Sequence, residues 1–209
     1  MQKIVLASSN AKKVKELTEL LAPFNHQIIP QTELGVADVP ETGTTFVENA
    51  IIKARHAAEV TGLPAIADDS GIEVDFLKGQ PGIYSARFAT MHGIKTDNPD
   101  QANNDLLVEK LKGVAAEKRT GRYQCILVFM RHAQDPTPLI CHGSWQGRIL
   151  EAEIGSGGFG YDPLFWCPEH QCASAELTPE EKANISHRGK ALRELMAQLP
   201  KYLPEASST

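Results

Sequence analysis

The sequence predicts a mixed α/β fold, and three observations lead there. Strand-length apolar runs alternate with amphipathic helical stretches from Ile4 to Phe76. Two strand-like runs, Arg122–Arg131 and Leu139–Trp145, flank the turn-rich Ala133–Pro138 and read as a hairpin. Helix-start signals stand at Thr45-x-x-Glu48 and Thr178-Pro179-Glu180-Glu181. Alternation early and a hairpin late point to helices packed on a mixed sheet.

Ile4–Ala7 is an apolar strand that breaks at Ser8-Ser9-Asn10. Ala11–Leu21 carries Val14, Leu17, Leu20 and Leu21 at helical spacing. His26–Pro30 suggests a second strand, and Gly35, Pro40 and Gly43 mark a loop from Gln31 to Thr44. The helix from Thr45 offers Phe46, Ala50, Ala54, Ala57 and Ala58 as its packing face. A strand at Ala65–Ala67 stops on an Asp68-Asp69-Ser70-Gly71 turn, and Ile72–Phe76 is apolar again. Residues 79–104 predict a long loop with one short helical turn, before a helix over Leu106–Leu111. One last helix opens at Thr178 and carries Leu192, Leu195, Met196 and Leu199. Pro200 and Pro204 end it, leaving residues 200–209 as a frayed tail.

A formal net charge of -5 leaves no basic bias for duplex nucleic acid. No apolar run approaches the roughly 20 residues of a membrane helix. Met1–Ala7 reads as a first strand, not a secretory leader, so the expected location is cytoplasmic. Cys125 and Cys141 lie in apolar runs and read as small buried hydrophobes. Cys167, His170 and Cys172 hint at metal spacing, but no second Cys/His pair follows, which favours an irregular loop over a zinc site.

Four segments can carry chemistry. Adjacent carboxylates at Asp68 and Asp69 repel each other unless a divalent cation, a lysine or a proton intervenes; a plain turn is the competing reading. Ser8-Ser9-Asn10-Ala11-Lys12-Lys13 is either a helix cap or a phosphate site built from the free N–H groups of a helix start. Two lysines where acidic residues are preferred tilt it toward an anion. Glu41 precedes the second helix as a possible metal ligand or a solvated charge, and Asn49 and Lys53 share one helical face. Gly155–Gly160, with Phe159 among its glycines and Tyr161-Asp162-Pro163 after it, is either a base-stacking surface or a loop whose ring packs inward. The basic run Lys182 to Lys190 is a solvated face or a set of donors, His187 and Arg188 foremost.

Taken together, six ordered motifs closely resemble the inosine triphosphate/xanthosine triphosphate pyrophosphatase family. They are Ser8-x-Asn10-x-x-Lys13; Glu41-Thr42-Gly43-x-Thr45-Phe46-x-Glu48-Asn49-Ala50-x-x-Lys53-Ala54; Ala67-Asp68-Asp69-Ser70-Gly71; Pro81-Gly82-x-Tyr84-Ser85-Ala86-Arg87; Gly158-Phe159-Gly160-Tyr161-Asp162-Pro163; and Ser186-His187-Arg188. The resemblance runs from Lys3 to Leu199. It implies a two-lobed mixed sheet flanked by helices over residues 1–199, with a nucleotide cleft between the lobes. The implied reaction is Mg²⁺-dependent hydrolysis of ITP, dITP and XTP to monophosphate and pyrophosphate, keeping these bases out of nucleic-acid precursors.

In that reading Asp69 binds Mg²⁺ and serves as base for the attacking water, Glu41 shares the metal, and Asp68 supports the acidic centre. Ser8, Ser9, Asn10, Ala11, Lys12, Lys13, Lys53 and Ser70 hold the triphosphate. Phe159 stacks on the purine, while Gly160, Tyr161, Asp162, Lys182, His187 and Arg188 surround the base. The implied partners are the nucleotide and a second copy of the chain, with no membrane and no direct nucleic-acid binding. Ser8-Ser9 departs from the Thr-Gly found in many relatives. Rival expectations are a pyrophosphatase for modified pyrimidines, a nucleotide sensor and a nucleic-acid-binding module.

Overall fold

The structure, a computed structural model, describes residues 2–22 and 26–203. The expected stop at Pro204 and most of the expected tail lie outside the described residues. Two compact units are present: one of residues 1–69, 125–143 and 188–209, the other of residues 70–124 and 144–187.

The first unit is built on parallel strands. β1 (Lys3–Leu6) pairs with β2 (Gln27–Pro30) in the register Lys3 to Gln27 and Leu6 to Pro30, and with β3 (Ala65–Val74) through Val5 to Ala65. Buried on both faces, β1 reads as a continuous apolar run. β4 (Thr120–Met130) and β5 (Leu139–Ile149) are neighbours beyond β3, as the hairpin expectation required. On one face α1 (Ala11–Leu21) buries Leu17 and Leu21 against Ile4, Leu6, Phe129 and the apolar stripe of the last helix. On the other, α2 (Phe46–Thr61) packs Ala50, Ala54, Ala57 and Ala58 on Val5, Ala7 and Ala67. Small side chains let that helix approach the strands closely, and Gly62 in the left-handed region ends it.

The second unit carries the far halves of β3, β4 and β5, then β6 (Phe165–Cys167) and β7 (Cys172–Ala173), which add on antiparallel. The strand order is β2-β1-β3-β4-β5-β6-β7, so parallel and antiparallel pairs share a mixed sheet. β5 alternates buried and exposed positions along its length, the mark of a one-sided strand. Its buried Trp145 and Ile149 join Tyr123, Leu164 and Phe165 in the core of this unit.

Four expectations are corrected. β3 does not stop at Ala67; it runs through Asp68-Asp69-Ser70-Gly71 to Val74, because cations hold the carboxylates in place within the strand. Residues 79–104 are largely helical: a 3₁₀ segment at Gly82–Arg87, α3 (Phe88–Met91) and the start of α4 (Pro99–Lys110). Asn98 caps α4 with Pro99 at its first position, a signal masked by the surrounding polar residues. The last helix is two, α5 (Pro179–Ile185) and α6 (His187–Gln198), broken where Ser186 turns extended with ψ 162°. Cys167 to Cys172 is a small hairpin rather than an irregular loop, with those two cysteines in register. Among the described residues no three His, Cys, Asp or Glu side chains gather as a metal site. Nor is any described helix long and apolar enough to cross a membrane.

The β4–β5 connection is organised by Asp135, whose side chain is fully buried. It accepts from Arg131 Nε at 2.8 Å, Arg131 Nη2 at 2.5 Å, and the backbone N–H of Arg131 and Thr137 at 3.0 Å each. Those bonds, the Arg131 guanidinium first, hold its carboxyl well below the ordinary 3.8 against the opposing pull of burial. Asp135→Ala is expected to destabilise the fold by about 2–3 kcal/mol at neutral pH in urea unfolding. A depressed folded-state pKa stabilises above the unfolded value and loses that contribution as pH falls. The gap between parent and variant should therefore shrink below about pH 4. A gap constant down to pH 2 would sink this account.

Candidate active site

The first unit brings together an acidic centre threaded by cations. Asn10 caps α1, its Oδ1 accepting from the N–H of Lys12 and Lys13 at 3.1 and 3.2 Å. Ser8 Oγ accepts from Asn10 N–H, and Ser9 Oγ donates to Asp38, which Gln31 also bonds. No acidic residue occupies the first turn of α1, so its N-terminal dipole remains available to an anion. Ala11 and Lys12 are exposed there, while Lys13 reaches inward to Asp68 Oδ2 at 3.0 Å.

Asp68 is buried beside a second cation, Arg188 Nη2, at 3.6 Å. The same guanidinium bonds Glu16 at 2.6 Å through Nη1. Burial pushes the Asp68 carboxyl up, but Lys13, Arg188 and Lys53 together pull it far below the ordinary carboxylate range. Arg188, expected at the base edge, also bonds this acidic centre, and Glu16 is a partner that the sequence reading missed. Glu16 lies one turn beyond Lys13 on α1, a spacing that also suits a solvated helix pair and so carries no distinct signal.

Lys53, from α2, bridges Glu41 Oε1 at 2.9 Å and Asp69 Oδ1 at 3.1 Å. Burial lowers its pKa, yet Asp68, Asp69 and Glu41 outweigh that and raise it. Burial also raises Asp69; Lys53 and Lys13 oppose the rise, and the like charge of Glu41 adds to it. Both members of the pair go up, Asp69 through burial and Lys53 through the three carboxylates around it. Asp69 Oδ2 is buried without a hydrogen-bond partner. Two converging carboxylates with one oxygen unsatisfied suit a hard divalent cation that completes its shell from phosphate oxygens. The site fits Mg²⁺ on that ground. Ser70 follows in β3, half-buried.

The position of Glu41 is set by stitching its loop to α2. Thr45 and Glu48 form the expected capping box, and Thr44 N–H also bonds Glu48. Gly43 N–H donates to the buried Asn49 Oδ1 at 2.9 Å. A Cβ on Gly43 would lie 2.6 Å from Glu48 Cβ and 2.7 Å from Asn49 Oδ1. Gly43→Ala is therefore expected to destabilise the fold by about 1–3 kcal/mol and to reduce turnover by moving Glu41. Unfolding and steady-state assays on one preparation check this; normal values for both would show that the loop absorbs the methyl.

The second unit assembles an aromatic and basic set. Asp162 is buried and surrounded by donors: Phe159 N–H at 2.8 Å and Lys182 Nζ at 2.5 Å on Oδ2, Ser174 Oγ at 2.9 Å and Tyr123 OH at 3.4 Å on Oδ1. Four donors match the lone-pair sites of one carboxylate. Asp162, an expected base contact, thus also organises its own loop. Gly158 wraps it at φ +72°, where a Cβ would collide with the carboxylate. Gly160 is bonded by Asp100 and Asn104, and Tyr161 is a core residue whose hydroxyl donates to Ser85 O at 2.8 Å.

Phe159 is half-buried with Lys182 Nζ 5.2 Å from its ring centroid. His187 stacks on Tyr123 with centroids 4.6 Å apart and planes 8° apart. Tyr123 and Ser174 are further residues that the sequence did not reveal; in strand patterning an inward tyrosine reads as core.

The Ham1 family model matches residues 4–198. The chain is 60% identical over 199 residues to the dITP/XTP pyrophosphatase of Photobacterium profundum, covering 95% of this chain and 98% of that one. It is 58% identical over 199 residues to the dITP/XTP pyrophosphatase of Escherichia coli O157:H7, with the same shares covered. Among solved structures, a HAM1 protein from Coxiella burnetii superposes with a TM-score of 0.87 at 48% identity, over 96% of this chain and 100% of that chain. A nucleoside-triphosphatase/dITP/XTP pyrophosphatase from Mycobacterium abscessus gives 0.73 at 39% identity, over 95% and 100%.

Proposed function

The chain belongs to the Ham1 family, and on that premise we propose that it hydrolyses dITP, ITP and XTP to the nucleoside monophosphate and pyrophosphate. The observation that supports this most is Asp69. It is a buried carboxylate held by Lys53 on one oxygen and unsatisfied on the other, next to a second carboxylate held by Lys13.

Attack at the α-phosphorus needs a water stripped of its proton and cations on the departing pyrophosphate. The Asp69 carboxylate takes the proton. Lys13 and Lys53 bind the phosphates at the positive end of the α1 dipole, and Ser8, Ser9, Asn10, Ala11, Lys12 and Ser70 line that end of the site. Mg²⁺, held by Glu41 and Asp69, would supply Lewis-acid stabilisation of the phosphoryl oxygens.

In the second unit Phe159 offers its face to the purine, and His187 and Lys182 supply edge donors. A 6-oxo group accepts from such donors, whereas the 6-amino group of adenine leaves them unpaired; mismatches of this kind discriminate by up to about 10⁴–10⁵. The reading extends to a cytoplasmic homodimer that clears these nucleotides from precursor pools.

The test is to measure pyrophosphate and orthophosphate separately from ITP, dITP, XTP, GTP, ATP and dUTP, with Mg²⁺ and with chelator. Pyrophosphate from the first three, abolished by chelator, is the expected result. Orthophosphate as main product would move the attack to another phosphorus. A preference for dUTP would favour the pyrimidine rival, and ITP binding without hydrolysis a sensor.

A further inference from the structure

Tyr123 is not among the residues that the family motifs single out, yet it touches two members of the base set. It lies on β4 at 7% exposure, inside the second unit. Its ring stacks on the His187 imidazole at 4.6 Å and 8°, and its hydroxyl reaches Asp162 Oδ1 at 3.4 Å. Two further rings flank the stack. Trp145 lies nearly parallel to both rings, 6.1 Å from Tyr123 and 6.4 Å from His187, and Phe165 meets Tyr123 at 4.7 Å with a 53° tilt. Stacked geometry of this kind fixes the plane of an imidazole, and a ring N–H donates only within that plane.

We propose that Tyr123 is a positioning residue for base recognition: its ring holds the imidazole of His187 in the plane from which it addresses the 6-oxo group. The inference rests on the base-recognition reading above. The two contacts separate by mutation. Tyr123→Leu removes the stack, whereas Tyr123→Phe keeps it and removes only the long hydroxyl bond.

The experiment is steady-state pyrophosphate release from ITP and ATP by the parent and both variants, with thermal unfolding of each. Tyr123→Leu is expected to raise KM for ITP by about 10-fold with a much smaller change in kcat, and to lower the ITP-to-ATP preference by a similar factor. Tyr123→Phe is expected to restore the preference to within about threefold of the parent. A folded Leu variant with an unchanged preference overturns the inference, as does a Phe variant as impaired as Leu. A parent that does not prefer ITP over ATP overturns the base-recognition reading itself, and this role with it.

The ring protons of His187 give a second readout that does not depend on the Leu variant folding. Stacking on Tyr123 should shift them upfield in proton NMR of the parent and of Tyr123→Phe. Unshifted resonances in both would show that the stack is absent in solution and overturn the proposal.

Discussion

Asp69→Asn is expected to reduce pyrophosphate release by about 10³-fold while leaving KM within a few fold. The substitution is isosteric. The amide oxygen can still accept from Lys53, which Asp69 Oδ1 now does at 3.1 Å. What disappears is a carboxylate able to take a proton, one whose buried Oδ2 has no hydrogen-bond partner. A variant that keeps a tenth or more of parental turnover with Mg²⁺ would remove Asp69 from the proton-accepting role. The same assay with Glu41→Gln then asks whether the neighbouring carboxylate substitutes for it.

Asp68→Ala should fail in a different way. Lys13 and Arg188 both face this carboxylate, and Arg188 is buried and also bonded to Glu16. Removing one member of a buried ionic set leaves charge uncompensated, which typically destabilises by about 3–5 kcal/mol. In a chain of this size that corresponds to a fall in Tm on the order of 10 °C. Adjacent residues in one strand would thus separate, Asp68 by stability and Asp69 by rate. Equal stability of the Asp68→Ala and Asp69→Asn proteins in urea unfolding would contradict that division.

The reach of the sequence is clearest at particular residues. The capping box of α2 and its alanine face were legible because caps and helical periodicity are local codes. Family motifs singled out Lys53 for the triphosphate and Glu41 for the metal, but not the bridge that Lys53 makes from Glu41 to Asp69. β3 was misread because two adjacent aspartates and a glycine look like a turn. The cations that keep them in a strand come from α1, α2 and α6, remote in sequence. The bond from Arg188 to this centre was missed for the same reason. The neighbour Glu16 is 172 residues away, and no local pattern encodes that pairing. The helix read at Leu106–Leu111 begins earlier, at Pro99; its first half was hidden because the residues there are polar, leaving the Asn98-Pro99 cap as the sharp signal.

The balance of charge around Asp68 and Asp69 bears on how fast an anion arrives. Lys13, Lys53 and Arg188 face Glu16, Glu41, Asp68 and Asp69, and the chain as a whole is negative. Such a set projects little attractive field beyond a Debye length, roughly 8 Å at physiological ionic strength. Electrostatic steering of a triphosphate is then weak, and encounter proceeds by ordinary diffusion. The lysines act at contact range, by exchanging a carboxylate for a phosphate. Added salt should therefore bear more on how long the nucleotide stays than on how often it meets the protein.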